Sequence, residues 1–395
     1  MRAKRTFLYL AVAGLFLAAG CGRTKFDQQR EEARARWNES RAAMAVRLGQ
    51  GCYDRGQFDR AQKHIEDVLK SENLPAPLLV LAARLAAEKG DFDEARRYAE
   101  NARVADPRSA EACYVLGIIE QTLGHNDQAM AEFAEAARLG PDDPKYILAE
   151  TEMLVAAGRA DGAAVRLRAA ADRMPGQAEV HVAFGDVRSL LGQDAEAVAD
   201  YRRALRVGAD AAGLNERLAT ALFRSGAYAE AEPMLDELAQ AKAPAEPDWL
   251  LRMRVDCLLA LGRPDDARSL CRRRAETAPG AVQVALAKCD VLENRLPSAR
   301  KSLEAALAAD PRDAEANALM GYVLVAQGRT DEARPHLKAA LADPRCEGRR
   351  TVERLLARAE GRPTAEPDSA APSATPRAAG RDEGPYTVAR PVRPL

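Results

Sequence analysis

A six-residue stretch returns nine times along this chain at almost constant spacing. GQFDRA begins at Gly56, GDFDEA at Gly90, GHNDQA at Gly124, GRADGA at Gly158 and GQDAEA at Gly192. GAYAEA follows at Gly226, GRPDDA at Gly262, a degenerate NRLPSA at Asn294 and GRTDEA at Gly328. The intervals are 34 residues, save one of 36 and one of 32. A period of this length is the mark of a stacked array, in which each unit buries its apolar face against its neighbours. Taken alone, GDFDEA looks like the start of a calcium loop, with three carboxylates beside a glycine. A metal loop needs its oxygen ligands at fixed positions. Here the acids wander: GRPDDA has two, GAYAEA one and NRLPSA none. Glycine opens eight copies and alanine closes all nine. The constant residues, Gly90 and Ala95 in this copy, therefore carry the meaning. Glycine tolerates the positive φ at which a helix ends. Acidic or polar residues suit the start of the next helix, where they face the favourable end of its dipole. Alanine fits where two helices press together. No metal or cofactor site is expected.

Alanine dominates the apolar residues and only 5% of the chain is aromatic, which favours closely packed helices. In the third copy, Leu116-Gly117, Gly124, Ala129, Phe133, Ala136 and Pro141 occur in order. Gly185 and Ala197 hold the equivalent places in the fifth copy, and Met320-Gly321, Gly328, Ala333, Leu337, Ala340 and Pro344 those in the last. This pattern resembles the tetratricopeptide repeat (TPR) family, whose 34-residue unit is a pair of antiparallel helices. The resemblance covers residues 42–347. It implies an all-α fold, a right-handed superhelix (α-solenoid) of about nine helix-turn-helix repeats. Two departures stand out: Glu150-Thr151 replaces the apolar-small pair of the fourth repeat, and the eighth has Asn294 for glycine with Pro297 close behind.

The two ends differ from the array. Arg2, Lys4 and Arg5 precede a 13-residue apolar run, Phe7 to Ala19, too short to span a bilayer comfortably and typical of a signal peptide. The run leads into Ala18-Ala19-Gly20-Cys21, which resembles the bacterial lipobox, although leucine is usual where Ala18 stands. That resemblance implies a signal peptide over residues 1–20 and lipidation of Cys21. With Gly22 next, it also implies an address at the outer membrane, facing the periplasm. Residues 21–41 form the lipidated N-terminus and a helical extension of the first repeat. Residues 348–360 are amphipathic and suit a capping helix, and residues 361–395 read as a disordered Pro/Ala-rich tail.

In TPR arrays the first helix of each pair lines a concave groove. Carried over position by position, the resemblance places Tyr114, Glu152, Asp186, Glu216, Phe223, Trp249, Arg252, Asp256, Lys288 and Tyr322 there. Carboxylates among apolar and aromatic side chains suit an extended or helical peptide with basic and apolar side chains. The 58 Lys+Arg against 59 Asp+Glu leave no basic excess for nucleic acid. Its histidines, His64, His125, His181 and His336, fall in separate repeats, without a nucleophile–base pair or a phosphate-binding loop. The chain reads as a membrane-anchored scaffold or adaptor for protein partners rather than an enzyme. The alternative is an assembly factor for a pilus, secretion or exopolysaccharide export system.

Overall fold

The computed structural model describes residues 25–71, 73–242, 247–274, 279–344, 346 and 348–362. Cys21, the signal peptide expected over residues 1–20 and nearly all of the expected C-terminal tail lie outside them. Every regular element among the described residues is an α-helix, and there are 19. They form nine consecutive pairs and one further helix, the TPR α-solenoid arrangement that the repeat predicts. Contacts divide the chain into two compact units, one reaching to Tyr146 and one from Ile147 onward. In the first, α1 (Lys25–Tyr53) pairs with α2 (Phe58–Leu69), α3 (Ala76–Glu88) with α4 (Phe92–Ala105), and α5 (Ala110–Thr122) with α6 (Asn126–Leu139). Helix α7 (Pro144–Ala156) contains the division, and α8 (Ala160–Arg173) follows it. In the second unit α9 (Ala178–Leu190) packs on α10 (Asp194–Arg206), and α11 (Ala211–Arg224) on α12 (Tyr228–Ala241). Helix α13 (Asp248–Ala260) packs on α14 (Pro264–Arg274), α15 (Pro279–Leu292) on α16 (Leu296–Ala309), and α17 (Ala314–Ala326) on α18 (Thr330–Ala342). Helix α19 (Arg349–Ala359) then buries Val352, Leu356 and Ala359 against the last pair.

The turn inside each pair explains the constant glycine. Gly90 has φ 78°, and Asp91 donates its backbone N–H to Ala86 O at 3.0 Å while Gly90 donates to Ala87 O at 2.9 Å. This Schellman closure satisfies carbonyls that a helix end otherwise leaves open. In the degenerate copy Asn294 takes φ 58°, and Arg295 donates to Asp290 O at 2.7 Å. Asparagine is among the few non-glycine residues that enter this region readily, so the departure in residue type leaves the turn unchanged. Pro297 sits in the first turn of α16, where a missing N–H breaks no helical bond. Of the acids in GDFDEA, Asp91 caps α4 by accepting from the Glu94 backbone N–H at 3.0 Å, whereas Asp93 is exposed. Urea denaturation should therefore find Asp93→Asn within about 0.5 kcal/mol of the parent. Ala95→Trp should lose about 1–3 kcal/mol or more by overpacking; equal effects would remove the distinction between the two positions.

Packing between paired helices is equally regular. The nine closing alanines, Ala61, Ala95, Ala129, Ala163, Ala197, Ala231, Ala267, Ala299 and Ala333, are all 0% exposed. A second contact joins the small residue of each first helix to a side chain on the second. A Cβ on Gly117 would lie 2.6 Å from the Phe133 ring, one on Gly185 2.5 Å from Tyr201, and one on Gly321 would overlap Leu337. These glycines are required by close approach, unlike Gly90, around which the space is open. In the fourth repeat Thr151 takes the small position, and its hydroxyl donates to Ile147 O at 2.8 Å. Its neighbour Glu150 is buried but accepts from Arg166 at 2.6 Å. Both polar departures are thus satisfied locally, as burial demands.

Candidate functional site

Within each unit the first helices also touch one another, α1 with α3 and α3 with α5, then α9 with α11, α13 with α15 and α15 with α17. The face they share is where the sequence places its groove residues. In the first unit Tyr114 is partly buried, 5.7 Å from Phe133 and 5.5 Å from Tyr146 by ring centroids. The Lys145 ammonium lies 5.5 Å from the Tyr114 ring and donates to Glu111 at 2.5 Å. Glu111 also pairs with Arg84 and accepts from the Tyr146 hydroxyl at 2.8 Å. The cluster is a joint between repeats, with its charges already matched.

The second unit corrects the expected row of carboxylates presented to a ligand. Asp186 accepts from the Tyr201 hydroxyl at 2.8 Å and from Arg217 at 2.7 Å. Burial nevertheless outweighs Arg217 and raises the Asp186 pKa. Glu216 accepts from Lys242 at 2.6 Å, and the same ammonium lies 5.2 Å from the Trp249 ring centroid. Asp256 and Lys288 are both 8% exposed and bound to each other at 2.7 and 2.9 Å. Lys288 also pairs with Glu315. Arg252 reaches Glu315 at 2.7 Å and Asp313 at 2.5 Å. Five charges thus join α13, α15 and α17. Burial opposes the Lys288 charge, but Asp256 and Glu315 outweigh it and raise the pKa. Burial opposes ionisation of Glu315 too, yet Lys288 and Arg252 hold its pKa below the ordinary value. Arg252, Asp256 and Lys288 are spent on holding repeats seven to nine together.

Glu152 is different. It is partly buried on α7, no hydrogen bond or ion pair engages it among the described residues, and burial raises its pKa. Among the described residues its acceptor lone pairs are unused. Phe223, Trp249 and Tyr322 are each partly exposed and rest on the apolar cores of their repeats. Phe223 is further held at 5.7 Å by an edge-on contact with Tyr228. They are rigid, amphipathic contact surface of the kind that partners use.

The residues that sequence reading missed are the partners: Glu111, Arg217, Lys242, Asp313 and Glu315. A signal for some of them was present. Arg84 and Glu111, and again Lys288 and Glu315, are opposite charges 27 residues apart, which places the later part of one first helix against the start of the next. Among the described residues no group of His, Cys, Asp and Glu could hold a metal ion.

Comparison with known proteins agrees with this architecture. Two family models, both described as tetratricopeptide repeat, match residues 80–144 and 182–247, and residues 222–289 and 290–346. Together they cover more than half of the chain. It belongs to the tetratricopeptide repeat family. As a TPR protein it is a scaffold for protein interactions. Protein O-mannosyl-transferase TMTC1 of Mus musculus is 30% identical over 152 residues, which is 36% of this TPR chain and 16% of that protein. Cellulose synthase 2 operon protein C of Komagataeibacter xylinus is 28% identical over 245 residues, 61% of this chain and 16% of that protein. The chain thus matches only about a sixth of the length of either relative. Among solved structures, a tetratricopeptide repeat protein from Parabacteroides merdae is 16% identical, covering 72% of this chain and 98% of that one at a TM-score of 0.42. PilW, a type IV pilus biogenesis factor, is 21% identical over 52% of this chain and 94% of that one, with a TM-score of 0.39.

Proposed function

We propose that this TPR scaffold is anchored to the outer membrane through a lipidated Cys21 and works in the periplasm. On this reading it captures extended or helical protein segments with basic and apolar side chains along the first-helix face of the second unit. The observation that carries the ligand chemistry is Glu152. A carboxylate half-withdrawn from water, with no partner among the described residues, gains a charge-assisted hydrogen bond when a lysine or arginine arrives. Phe223, Trp249 and Tyr322 would take apolar side chains farther along the array. The anchor would raise the local concentration of membrane-bound partners.

Two variants test this. Because burial raises the Glu152 pKa, its charge at neutral pH opposes folding, so Glu152→Gln should leave stability unchanged or slightly higher. The same change should weaken capture of partners cross-linked from a photoreactive residue at Tyr322, read by mass spectrometry, and Glu152→Lys should abolish it. Undiminished capture by a folded Glu152→Lys protein would refute the site. Reversing Asp186 or Asp256 is a poorer test, since both support the fold. The anchor is tested separately: Cys21→Ser should move the protein out of the membrane fraction.

Similarity to cellulose synthase 2 operon protein C supports a second reading, in which the array serves assembly of an exopolysaccharide exporter. Deleting the gene would then stop polymer export while leaving other envelope complexes intact.

A further inference from the structure

Ten large apolar side chains are exposed among the described residues, and four of them, Phe26, Trp37, Met44 and Leu48, lie on α1. The other six, Val104, Leu123, Val165, Leu190, Val207 and Leu292, are scattered over six different helices or their caps. On α1 the spacing is 11, 7 and 4 residues, and exposed Ala33 falls in the same series. At 3.6 residues per turn these five side chains share an arc of about 60° along about 33 Å of helix. The stripe is nearly straight because an 11-residue interval closes on three helical turns. Phe26 is 72% exposed, Trp37 66% and Met44 65%. The helix buries a different side, Ala42, Ala45 and Cys52, against the first repeats. Among the described residues the stripe is therefore unpartnered, and an exposed row of this kind marks an interaction surface.

The charges around it select the partner. Arg30, Arg34 and Arg41 flank one side of the stripe, and Arg36 and Arg47 the other; all five are exposed. Arg30, Arg34, Arg41 and Arg47 make no ion pair among the described residues. Arg36 lies 3.6 Å from Glu32 in a solvent-exposed pair, which holds it weakly. Glu31, Glu32 and Glu39 occupy the opposite side of the helix. Apolar centre, basic shoulders and a charged back form the arrangement of a helix lying in a membrane interface. There the arginines reach lipid phosphates while tryptophan and phenylalanine enter the acyl boundary. A second copy of α1 fits poorly: with both shoulders basic, either parallel or antiparallel pairing sets arginine against arginine.

We infer that α1 is an interfacial helix that binds an anionic phospholipid surface through Phe26, Trp37, Met44 and Leu48 with its flanking arginines. This goes beyond a lipid anchor, because the contact is made by the helix's own side chains and needs no acylation. It would lay the start of the array along the membrane instead of leaving it on a free tether.

The test uses the chain from residue 22, unacylated, with Trp249→Phe so that Trp37 is the only tryptophan. Sedimentation with phosphatidylethanolamine–phosphatidylglycerol vesicles should carry the protein down and shift Trp37 emission to the blue; phosphatidylcholine vesicles should do neither. Reversing Arg30, Arg36, Arg41 and Arg47 to glutamate should reduce vesicle binding more than about tenfold, and so should raising the salt. Trp37→Ser with Met44→Ser should do the same without changing the helical circular dichroism. Absence of binding to phosphatidylglycerol vesicles, or binding that survives charge reversal, overturns the inference. So does a dimer in analytical ultracentrifugation that Trp37→Ser dissolves, which would assign the stripe to a second copy. Neither result bears on Cys21, whose acylation is read in cells from the membrane fraction of Cys21→Ser.

Discussion

Lys288→Met is expected to destabilise the last three repeats by about 3–5 kcal/mol, the usual loss when one partner of a buried ion pair is removed. Lysine is replaced by a side chain of similar length, so the expected loss is electrostatic rather than a cavity. What remains is Asp256, 8% exposed, facing an apolar thioether, and Glu315 with only Arg252 to balance it. Lys288→Met combined with Asp256→Leu should recover much of the loss, because removing both buried partners costs far less than stranding one. Urea unfolding, with hydrogen exchange resolved over α13, α15 and α17, is the measurement; a single-variant loss under about 1 kcal/mol would show the network to be incidental. Local readout matters because stability in a repeat array is divided between units and their nearest-neighbour contacts.

The same network sets a pH dependence. Glu315 and Asp313 have pKa values below their ordinary ones in the fold: burial alone would raise both, and Lys288 and Arg252 outweigh it for Glu315, Arg252 and the Ala316 N–H for Asp313. Their contribution is complete above the ordinary carboxylate range and is lost as pH falls through the depressed values. Lys288, whose pKa is raised, contributes fully below the ordinary lysine range and loses that contribution as pH rises through its folded value. The C-terminal repeats should accordingly open first on acidification, and Lys288→Met should flatten that acid limb.

The fold was legible because its determinants are local and repeated. Gly90 and Ala95 each answer to one turn and one helix contact, and nine copies average away exceptions such as Asn294. The candidate face was less legible, for a physical reason. An acid at a first-helix position looks the same in sequence whether it faces water or a lysine on the next repeat. Asp256 and Glu152 occupy equivalent positions, yet one is bound twice by Lys288 and the other has no partner among the described residues. Only the charge carried 27 to 32 residues away tells them apart, and that distance exceeds any local motif. The stripe on α1 was hidden differently: residues 25–41 show no repeat, and Phe26, Trp37 and Met44 are too far apart to form an apolar run.

Phe133→Ala should cost about 3–5 kcal/mol, because it empties a site that is 0% exposed. Gly117→Val should cost about 1–3 kcal/mol or more from the opposite fault, since its Cβ would stand 2.6 Å from that ring. The two together should be less destabilising than the sum of the single changes, by about 1–3 kcal/mol of favourable coupling. The chain already carries the exchanged arrangement. In the seventh repeat the first helix has Val255 where glycine is usual, and the facing residue shrinks to Cys271; both are 0% exposed. The seventh repeat thus fills its joint with a similar summed volume, shared differently between the two side chains. A double-mutant cycle by urea denaturation decides it. Strict additivity would mean that each side chain packs against its surroundings independently, and the pairing of glycine with Phe133, Tyr201 and Leu337 would then need another cause.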